Sequence, residues 1–241
     1  MDFKMLFKKV IPNRLLLWIK NIEQLVNIKS IRAAVREQKL SPIYRQLTTI
    51  VPDITHQYSS FNLDNEYLIT KVRAQHAFQI DLFNEALQLI NDKGSNPVTI
   101  VDIGDSAGTH IQYIKGLHKD RNLRCLSVNM DEQAVKKIRE KGLEALCARA
   151  EDLASLSVDA DIFLSFEMLE HVMNPCGFLQ ALSANTHCKA FVVTVPYVAQ
   201  SKVGLHHIRH NQRARVNPEN THIFELSPED WRLIFKPQDG Q

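Results

Sequence analysis

Hydrophobic residues follow two different spacings along this chain of 241 residues. From Asn65 to about Asn91 they recur at the spacing of one helix face, and Lys93–Pro97 then breaks the pattern. Beyond it, short apolar runs alternate with amphipathic segments, which predicts a parallel sheet with helices on both faces. The predicted strands are 98–103, 124–128, 162–166 and 190–195, with a short apolar patch at 144–147, and the predicted helices are 108–118, 132–141 and 176–184.

The first fifty residues differ from the rest of the chain in charge. They hold ten Lys or Arg and three Asp or Glu, about +7, whereas the remainder carries about −5. Helical patterns broken near Pro12 and at Ser41–Pro42 predict a basic helical N-terminal extension over 1–64, followed by an α/β domain over 65–241. The basic excess indicates either an anionic partner or a solvated helix face. Because Leu15–Ile19 is too short an apolar run to span a bilayer, any membrane contact would be that of an interfacial helix.

Cysteine usage and composition bear on localisation. The chain is 44% hydrophobic and 23% charged, which is typical of a soluble globular protein. Its four cysteines are widely spaced, and the first ten residues lack the long apolar core of a signal peptide. We therefore predict a cytoplasmic protein, with peripheral contact at the inner membrane surface through the N-terminal helices as an open alternative.

A glycine-containing turn follows the first predicted strand. The segment Asp102–Gly108 reads Asp-Ile-Gly-Asp-Ser-Ala-Gly, so that an acidic residue ends the strand and two glycines lie four residues apart. Glycines allow a tight turn and a close approach of the backbone to a ligand before the next helix. In parallel sheets ligands bind beyond the carboxyl ends of the strands, where Asp102, Asn129, Glu167 and Pro196 are predicted to gather. The pattern predicts a cofactor-binding turn.

This turn resembles motif I of the class I S-adenosylmethionine-dependent methyltransferases, with Ser106 at the usual middle glycine. Further segments are similar to later strands of that family, above all Glu167–Pro175, which reads Glu-x-Leu-Glu-His-Val-x-x-Pro as in small-molecule O-methyltransferases. The resemblance implies a Rossmann-like, doubly wound, mostly parallel sheet. The family's sheet normally has seven strands, and Phe235–Gln241 offers no apolar run for the last two. A C-terminally truncated methyltransferase-like domain is therefore expected.

The resemblance also implies the cofactor, S-adenosyl-L-methionine, and the residues that contact it. Asn129 departs from the acidic residue that usually holds the ribose hydroxyls, and Asp131 is expected to cap the following helix. Arg149 replaces an acidic residue often found beside the adenine. The expected cofactor contacts are Asp102, Gly104, Ser106, Gly108, Asn129, Ala150, Glu151 and Glu167.

A metal site is a further expectation. If residues 167–171 turn helically, Glu167, Glu170 and His171 share one face, and His222 stands where a fourth ligand would follow. This set is similar to the metal site of small-RNA 2′-O-methyltransferases, and it could bind Mg²⁺ or Mn²⁺. The alternative is structural, with Glu167 lining the cofactor site and His171 holding a loop by hydrogen bonds.

The reaction follows from the resemblance, and its acceptor stays open. His207 and His210 are candidate general bases, because histidine titrates near neutral pH. We predict in-line methyl transfer to a hydroxyl of a small molecule or glycan, with nucleic acid as a less favoured partner. The alternatives are an RNA 2′-O-methyltransferase-like enzyme and an impaired or truncated protein that binds without catalysing.

Overall fold

The computed structural model describes residues 13–58, 61–90, 97–204 and 221–236. From residue 98 to residue 194 strands alternate with helices as predicted, except that only a turn of 3₁₀-helix at Ala150–Asp152 lies between the third and fourth strands. The helices are α1 (Asn13–Glu37), α2 (Ser41–Ile50), α3 (Glu66–Ile90), α4 (Thr109–Leu117), α5 (Glu132–Glu140), α6 (Pro175–Asn185) and α7 (Pro228–Ile234). The strands are β1 (Val98–Ile103), β2 (Leu123–Asn129), β3 (Glu144–Cys147), β4 (Ile162–Phe166), β5 (Ala190–Thr194), β6 (Lys202–Val203) and β7 (Phe224–Glu225).

Five of the strands form one parallel sheet in the order β3-β2-β1-β4-β5. The chain runs outward from β1 to β3 and then returns to the other side of β1. Strand order therefore reverses between β1 and β4, and such a switch point leaves a crevice at the carboxyl ends of the strands. The predicted Rossmann-like sheet with helices on both faces is confirmed. The strands β6 and β7 form a separate antiparallel pair.

Alternate residues of the central strands belong to two different cores. Ile100, Ile162 and Leu164 pack with α3 and α4 on one face, whereas Val101 and Phe163 pack beneath the other face. A strand covered on both faces has no polar side to display, which explains why β1 and β4 read as nearly continuous apolar runs.

The N-terminal helices share the first of these cores. Val35, Leu40 and Leu47 belong to the same buried cluster as Phe83 and the strand residues. Residues of the segment expected to be an extension therefore contribute to the core of the α/β sheet. The division at residue 64 stays a prediction.

Buried Arg73 joins α2 to α3. Its guanidinium donates to the carbonyl oxygens of Leu47, Val51 and Pro52 at 3.1, 2.9 and 2.9 Å. The Val51 and Pro52 carbonyls follow the last turn of α2, where carbonyls lack helical partners, whereas the Leu47 carbonyl also accepts from the Val51 amide at 3.0 Å. The Arg73 guanidinium of α3 therefore caps the C-terminal end of the neighbouring helix α2.

Two helix starts are capped by side chains, and the cap at Asp131 is expected from the sequence. The Asp131 carboxylate accepts from the Gln133 amide at 2.9 Å at the start of α5. The Ser227 hydroxyl accepts from the Asp230 amide at 3.3 Å, and Pro228 occupies the first turn of α7. Both interactions satisfy amide groups that a helix start leaves unpaired.

Candidate functional site

A cavity of about 500 Å³ opens at the switch point of the sheet. Its wall includes residues at or just beyond the carboxyl ends of β1, β2 and β4, together with side chains of α3 and of the loop before it. A volume of this size is typical of a pocket for a small ligand or cofactor.

The glycine turn forms one wall of the cavity at Gly104. Its backbone has φ +93°, and a Cβ there would lie 2.8 Å from Cγ of Met168. A side chain would therefore be strained and would push Met168 toward the ligand space. Gly108 has φ +72° and packs instead against Leu143 and Ile138, at the start of α4 and away from the cavity lining. The two glycines thus serve different needs.

Asp102 lies behind the cavity and pairs with a histidine that lines it. The buried carboxylate accepts from Nδ1 of His110 at 2.9 Å, and Asp105 lies 3.9 Å from the same nitrogen. Burial alone would lower the pKa of His110, but the charge and hydrogen bond of Asp102, together with Asp105, raise it overall. The raised pKa favours an imidazolium between two carboxyl groups.

Asp105 is the other acid of this cluster. It accepts from the Ser127 hydroxyl at 3.0 Å. Burial, followed by the charge of Asp102, raises its pKa to about 6. Burial and the neighbouring Asp102 charge therefore favour the protonated form of the Asp105 carboxyl.

One end of the cavity has a polar floor, which we define as Gln57, His76, Gln79 and His110. Gln57 and His76 are joined through their Nε2 atoms at 2.9 Å, and Nε2 of Gln79 donates to the Thr194 hydroxyl at 3.0 Å. Within the described residues, Oε1 of both glutamines, Nδ1 of His76 and Nε2 of His110 are buried without a hydrogen-bond partner. Burial lowers the pKa of His76 well below its usual value, so this ring is neutral. Buried polar atoms of this kind are costly unless a ligand or water satisfies them.

Two polar side chains of the cavity wall, Asn129 at the end of β2 and Glu151, already form hydrogen bonds within the protein. Oδ1 of Asn129 accepts from the Asp131 amide at 2.8 Å, and its Nδ2 donates to the Asp105 carbonyl at 3.2 Å. Glu151 accepts from Arg149 at 3.2 Å. Asn129, Arg149, Ala150 and Glu151 all line the cavity.

Glu167, directly after β4, has a left-handed backbone with φ +52°. Such a conformation is costly for a residue with a side chain and persists where the surroundings enforce it, often at functional sites. Its amide donates to the Thr194 carbonyl at 2.9 Å, which ties the turn to β5. Burial raises the pKa of Glu167, and hydrogen bonds from Thr194 and Gln75 offset part of the rise.

Glu170, His171 and His222 bring their ligand atoms within 4.8 Å of one another. His171 Nδ1 lies 3.1 Å from the Thr221 carbonyl, and His222 Nδ1 lies 3.1 Å from the Glu225 carboxylate. Within the described chain both carboxylate oxygens of Glu170 are buried without a hydrogen-bond partner, Oε1 lies 3.9 Å from Nε2 of His171, and burial raises the pKa of Glu170 to about 8. A carboxyl in this state is protonated at neutral pH unless a cation neutralises it.

The expected helical turn over residues 167–171 is wrong at its beginning. Only Leu169–His171 forms a turn of 3₁₀-helix, because Glu167 takes the left-handed conformation and Met168 is not helical. The carboxylate of Glu167 is therefore not part of the three-residue cluster. His222 joins that cluster because the Ile223 amide donates to the Glu170 carbonyl at 2.8 Å.

Comparisons with known proteins agree with this architecture. No family model matches the chain. The chain is similar to the mitochondrial ubiquinone biosynthesis O-methyltransferase of Arabidopsis thaliana, with 30% identity over 125 residues, which is 48% of this chain and 36% of that protein. The chain thus matches about a third of the length of this curated relative.

Two solved structures are among those that resemble the chain at low identity. The plantazolicin methyltransferase BpumL in complex with SAH superposes with a TM-score of 0.48 at 14% identity, covering 92% of this chain and 77% of that chain. The N-terminal domain of EvdMO1 with SAH bound has a TM-score of 0.48 at 12% identity, covering 80% of this chain and 84% of that chain.

The strand order, the motifs and the curated match decide the fold. The chain has a Rossmann-like fold of the methyltransferase type. The curated match over 48% of the chain supports the resemblance drawn from the motifs. In a class I methyltransferase fold the crevice above β1 and β4 is the ligand site that the switch point predicts.

Most of the expected cofactor residues of this methyltransferase fold lie together around the cavity. Gly104, Ser106, Asn129, Ala150, Glu151 and Glu167 line it, as do His171 and His222 of the expected metal set. Asp102 and Gly108 are set back from it, and Glu170 is buried behind it. The candidate bases His207 and His210 lie outside the described residues, and their roles stay predictions.

Several residues that line the cavity could not be assigned from the motifs. His76 and Gln79 lie in α3 and Gln57 lies in the loop before it, so no motif spacing connects them to the glycine turn. His110 follows Gly108 by two residues, and a buried acidic partner for it could have been suspected from Asp102. The stacked rings of Tyr58 and Phe61, 4.6 Å apart, also line the cavity.

Proposed function

We propose that this protein is an S-adenosylmethionine-dependent methyltransferase that methylates a hydroxyl group of a small molecule or glycan. The observation that carries the proposal is the cavity at the switch point. Six of the eight residues expected to contact the cofactor line it. The curated relative, an O-methyltransferase by name, supports oxygen as the acceptor atom.

The chemistry of the cavity wall is suited to the two ends of this cofactor. At the polar floor, the glutamine oxygens of Gln57 and Gln79 are acceptors and the His110 imidazolium is a donor. An ammonium and a carboxylate on one carbon would satisfy both kinds of group. At the other end, Met130 and Ala150 offer apolar surface on which a planar base could lie.

S-adenosylmethionine supplies an activated methyl group on a sulfonium when it is bound. The chain would align the acceptor with that group and keep water out, which are positioning effects. The stacked pair Tyr58 and Phe61 at the cavity edge would shield a planar acceptor. Proton removal from the hydroxyl falls to a histidine, with His207 and His210 as the predicted bases.

A divalent metal is a finer part of the proposal. Glu170, His171 and His222 would hold it, since two imidazoles and a carboxylate suit Mg²⁺ or Mn²⁺ less well than Zn²⁺ or Fe²⁺ but can bind either class. The contacts of both Nδ1 atoms with oxygen are the kind that orient metal-binding histidines. An ion at this position would lower the pKa of an acceptor hydroxyl.

Binding without catalysis is the second candidate function. The observation in its favour is Asn129, whose amide is already bonded to Asp131 and Asp105 and lacks the negative charge usual at this position. Weaker hydrogen bonding to the ribose would lower the affinity for the cofactor. The protein would then bind an acceptor or a partner but methylate it slowly or not at all.

Calorimetric titration with S-adenosylmethionine tests the cofactor site. Alanine substitutions at two glycines are compared, one at the cavity and one as a control. Gly104→Ala introduces a Cβ 2.8 Å from Met168, and we expect affinity to fall by at least about tenfold. Gly142→Ala has the same left-handed strain at φ +72° but meets no atom within 4 Å, so its affinity should match the wild type. No detectable binding to the folded wild-type protein would contradict the proposal.

Transfer of a labelled methyl group then tests the reaction across catechols, glycans and RNA. Labelling of a catechol or glycan supports the proposed class, and labelling of RNA alone replaces it. Cofactor binding with no labelling of any acceptor favours the binding protein.

Metal titration of the purified protein tests the finer proposal separately. We expect one divalent ion per chain and loss of that binding in His222→Ala. An absence of binding in the wild type, with His222→Ala transferring methyl groups at the wild-type rate, leaves Glu170 and the two histidines with a structural role only.

A further inference from the structure

The first half of α1 stands clear of the protein core. Between Arg14 and Asn27 no side chain is buried, and Ile28 is the first residue of the helix that is. The second half packs on the body of the protein through Ile28 and Val35. The helix therefore has a docked C-terminal half and an exposed N-terminal half.

The exposed half carries six large apolar side chains on one side, while Leu17, 60% exposed, lies on the opposite side. Their exposed fractions range from 40% to 61%, and they are Leu15, Trp18, Ile19, Ile22, Leu25 and Val26. At 3.6 residues per turn these six positions fall within about 120° of the helix circumference. A continuous stripe of this kind is uncommon on a protein surface that faces only water. We call these six residues the apolar stripe.

The same rows of the helix become basic in its second half. Lys29 and Arg36 continue the row of Leu15 and Ile22 at seven-residue spacing, and all four are exposed. Arg32 continues the row of Trp18 and Leu25 and pairs with Glu66 at 2.8 Å. Going along the helix, one side thus changes from apolar to cationic.

Positive charge is also concentrated toward the N-terminal end of the whole chain. The first fifty residues carry about +7 and the remaining residues about −5. A basic, amphipathic surface helix attached to a mildly acidic body would orient with this helix toward a negatively charged surface. None of the helices in the described part of the chain has the length and apolarity to cross a bilayer.

We propose that the apolar stripe of α1 inserts into the surface of an anionic lipid bilayer, while Lys29 and Arg36 contact lipid phosphates. The apolar side chains would be buried at the boundary between headgroups and acyl chains, with Trp18 in the interfacial position that indole prefers. A second copy of the chain is the less suitable occupant, because parallel pairing along the stripe would place Lys29 against Lys29. This inference is independent of the methyltransferase proposal, which concerns the cavity.

Vesicle binding by the full chain tests the inference, and Trp18 is a built-in probe. The chain has two tryptophans, and the other, Trp231, is buried at 6% exposure. With vesicles of phosphatidylcholine mixed with phosphatidylglycerol we expect co-sedimentation and a blue shift of the exposed tryptophan. Vesicles of phosphatidylcholine alone, or added salt, should weaken both signals, because surface charge interactions are screened.

Substitutions separate the contributions of the two halves of the helix. Trp18→Ser, Ile22→Ser and Leu25→Ser together should weaken vesicle binding by at least about tenfold. Lys29→Glu with Arg36→Glu should remove the preference for anionic vesicles. The matched control is Leu89→Ser on α3, whose side chain is 84% exposed, and it should bind as the wild type does. Trp18→Phe should bind vesicles but lose the spectral shift.

Three outcomes would overturn the inference. The first is equal binding to both vesicle types. The second is no vesicle binding together with a dimer that the triple substitution dissociates, which assigns the stripe to a second copy. The third is no vesicle binding by a monomer. Thermal unfolding and cofactor titration should be unchanged in every variant, since none of the substituted residues is buried or lines the cavity.

Discussion

His110 is a buried side chain that pairs with Asp102 and lines the cavity, so it determines which polar group this part of the wall offers to a ligand. Its ring lies between Asp102 and the cavity, and its Nδ1 is 2.9 Å from the carboxylate. The acidic residue of the glycine turn therefore acts on the cavity through this imidazole, since it does not line the cavity itself. A histidine two residues into the helix changes what the motif offers to a ligand.

Removal of the imidazole tests this pairing. We expect His110→Leu to lower the free energy of unfolding by about 3 kcal/mol, because it leaves the Asp102 charge buried without its partner. Urea unfolding measures the loss. Lys115→Gln on the exposed side of α4 should stay within about 0.5 kcal/mol of the wild type. Adding Asp102→Asn to His110→Leu should restore part of the stability, and an additive double variant would mean that the two residues are not coupled.

The helices before the sheet depend on interactions between elements as much as on their own sequences. Arg73 of α3 caps α2 by donating to three carbonyls. Gly116 of α4 lets Ile50 of α2 pack closely, because a Cβ at position 116 would lie only 2.7 Å from the Ile50 side chain. Neither contact is local in the sequence. They explain how a segment expected to be an extension joins the core.

Loss of the Arg73 cap should be costly. We expect Arg73→Met to destabilise the protein by about 1–3 kcal/mol, because a buried charged donor to the part-buried carbonyls of Val51 and Pro52 is lost while the length of the side chain is retained. Arg45→Met, on the exposed side of α2, is the control and should change the unfolding free energy by less than about 0.5 kcal/mol. Equal effects of the two substitutions in chemical denaturation would refute the capping role.

At the scale of the molecule, stability should respond to pH through the buried acids and histidines. Asp105 has a folded pKa of about 6 against an ordinary value of 3.8, chiefly because of burial. The folded state therefore binds this proton more tightly than the unfolded state, and stability falls as pH rises between these values. His110 acts in the same direction at higher pH because its pKa is raised, whereas His76 acts in the opposite direction because its pKa is lowered.

Comparison with Asp105→Asn isolates one of these effects. The unfolding free energy of the wild type should fall relative to that of the variant between about pH 4 and pH 6, and the difference should then level off. Urea titrations over this range provide the measurement. Parallel curves for the two proteins would show that Asp105 titrates alike in the folded and unfolded states.

Much of the fold could be predicted because its causes are local. Burial on both faces makes β1 and β4 short apolar runs, and the Asp131 cap lies beside the helix that it starts. The glycines at 104 and 108 were assigned to a tight turn for the same reason. Local geometry failed at Glu167, whose left-handed backbone interrupts the expected helical turn.

The sequence by itself determined the alternation of strands and helices, the glycine turn and the resemblance to methyltransferases, since each depends on residues close together in the chain. Only the tertiary structure decided that α3 and the preceding loop supply His76, Gln79 and Gln57 to the cavity, and that His110 screens Asp102 from it. It also decided that the stripe of α1 lies outside the core. The physical reason is that burial and pairing depend on which distant elements pack together, and spacing along the chain does not contain that information.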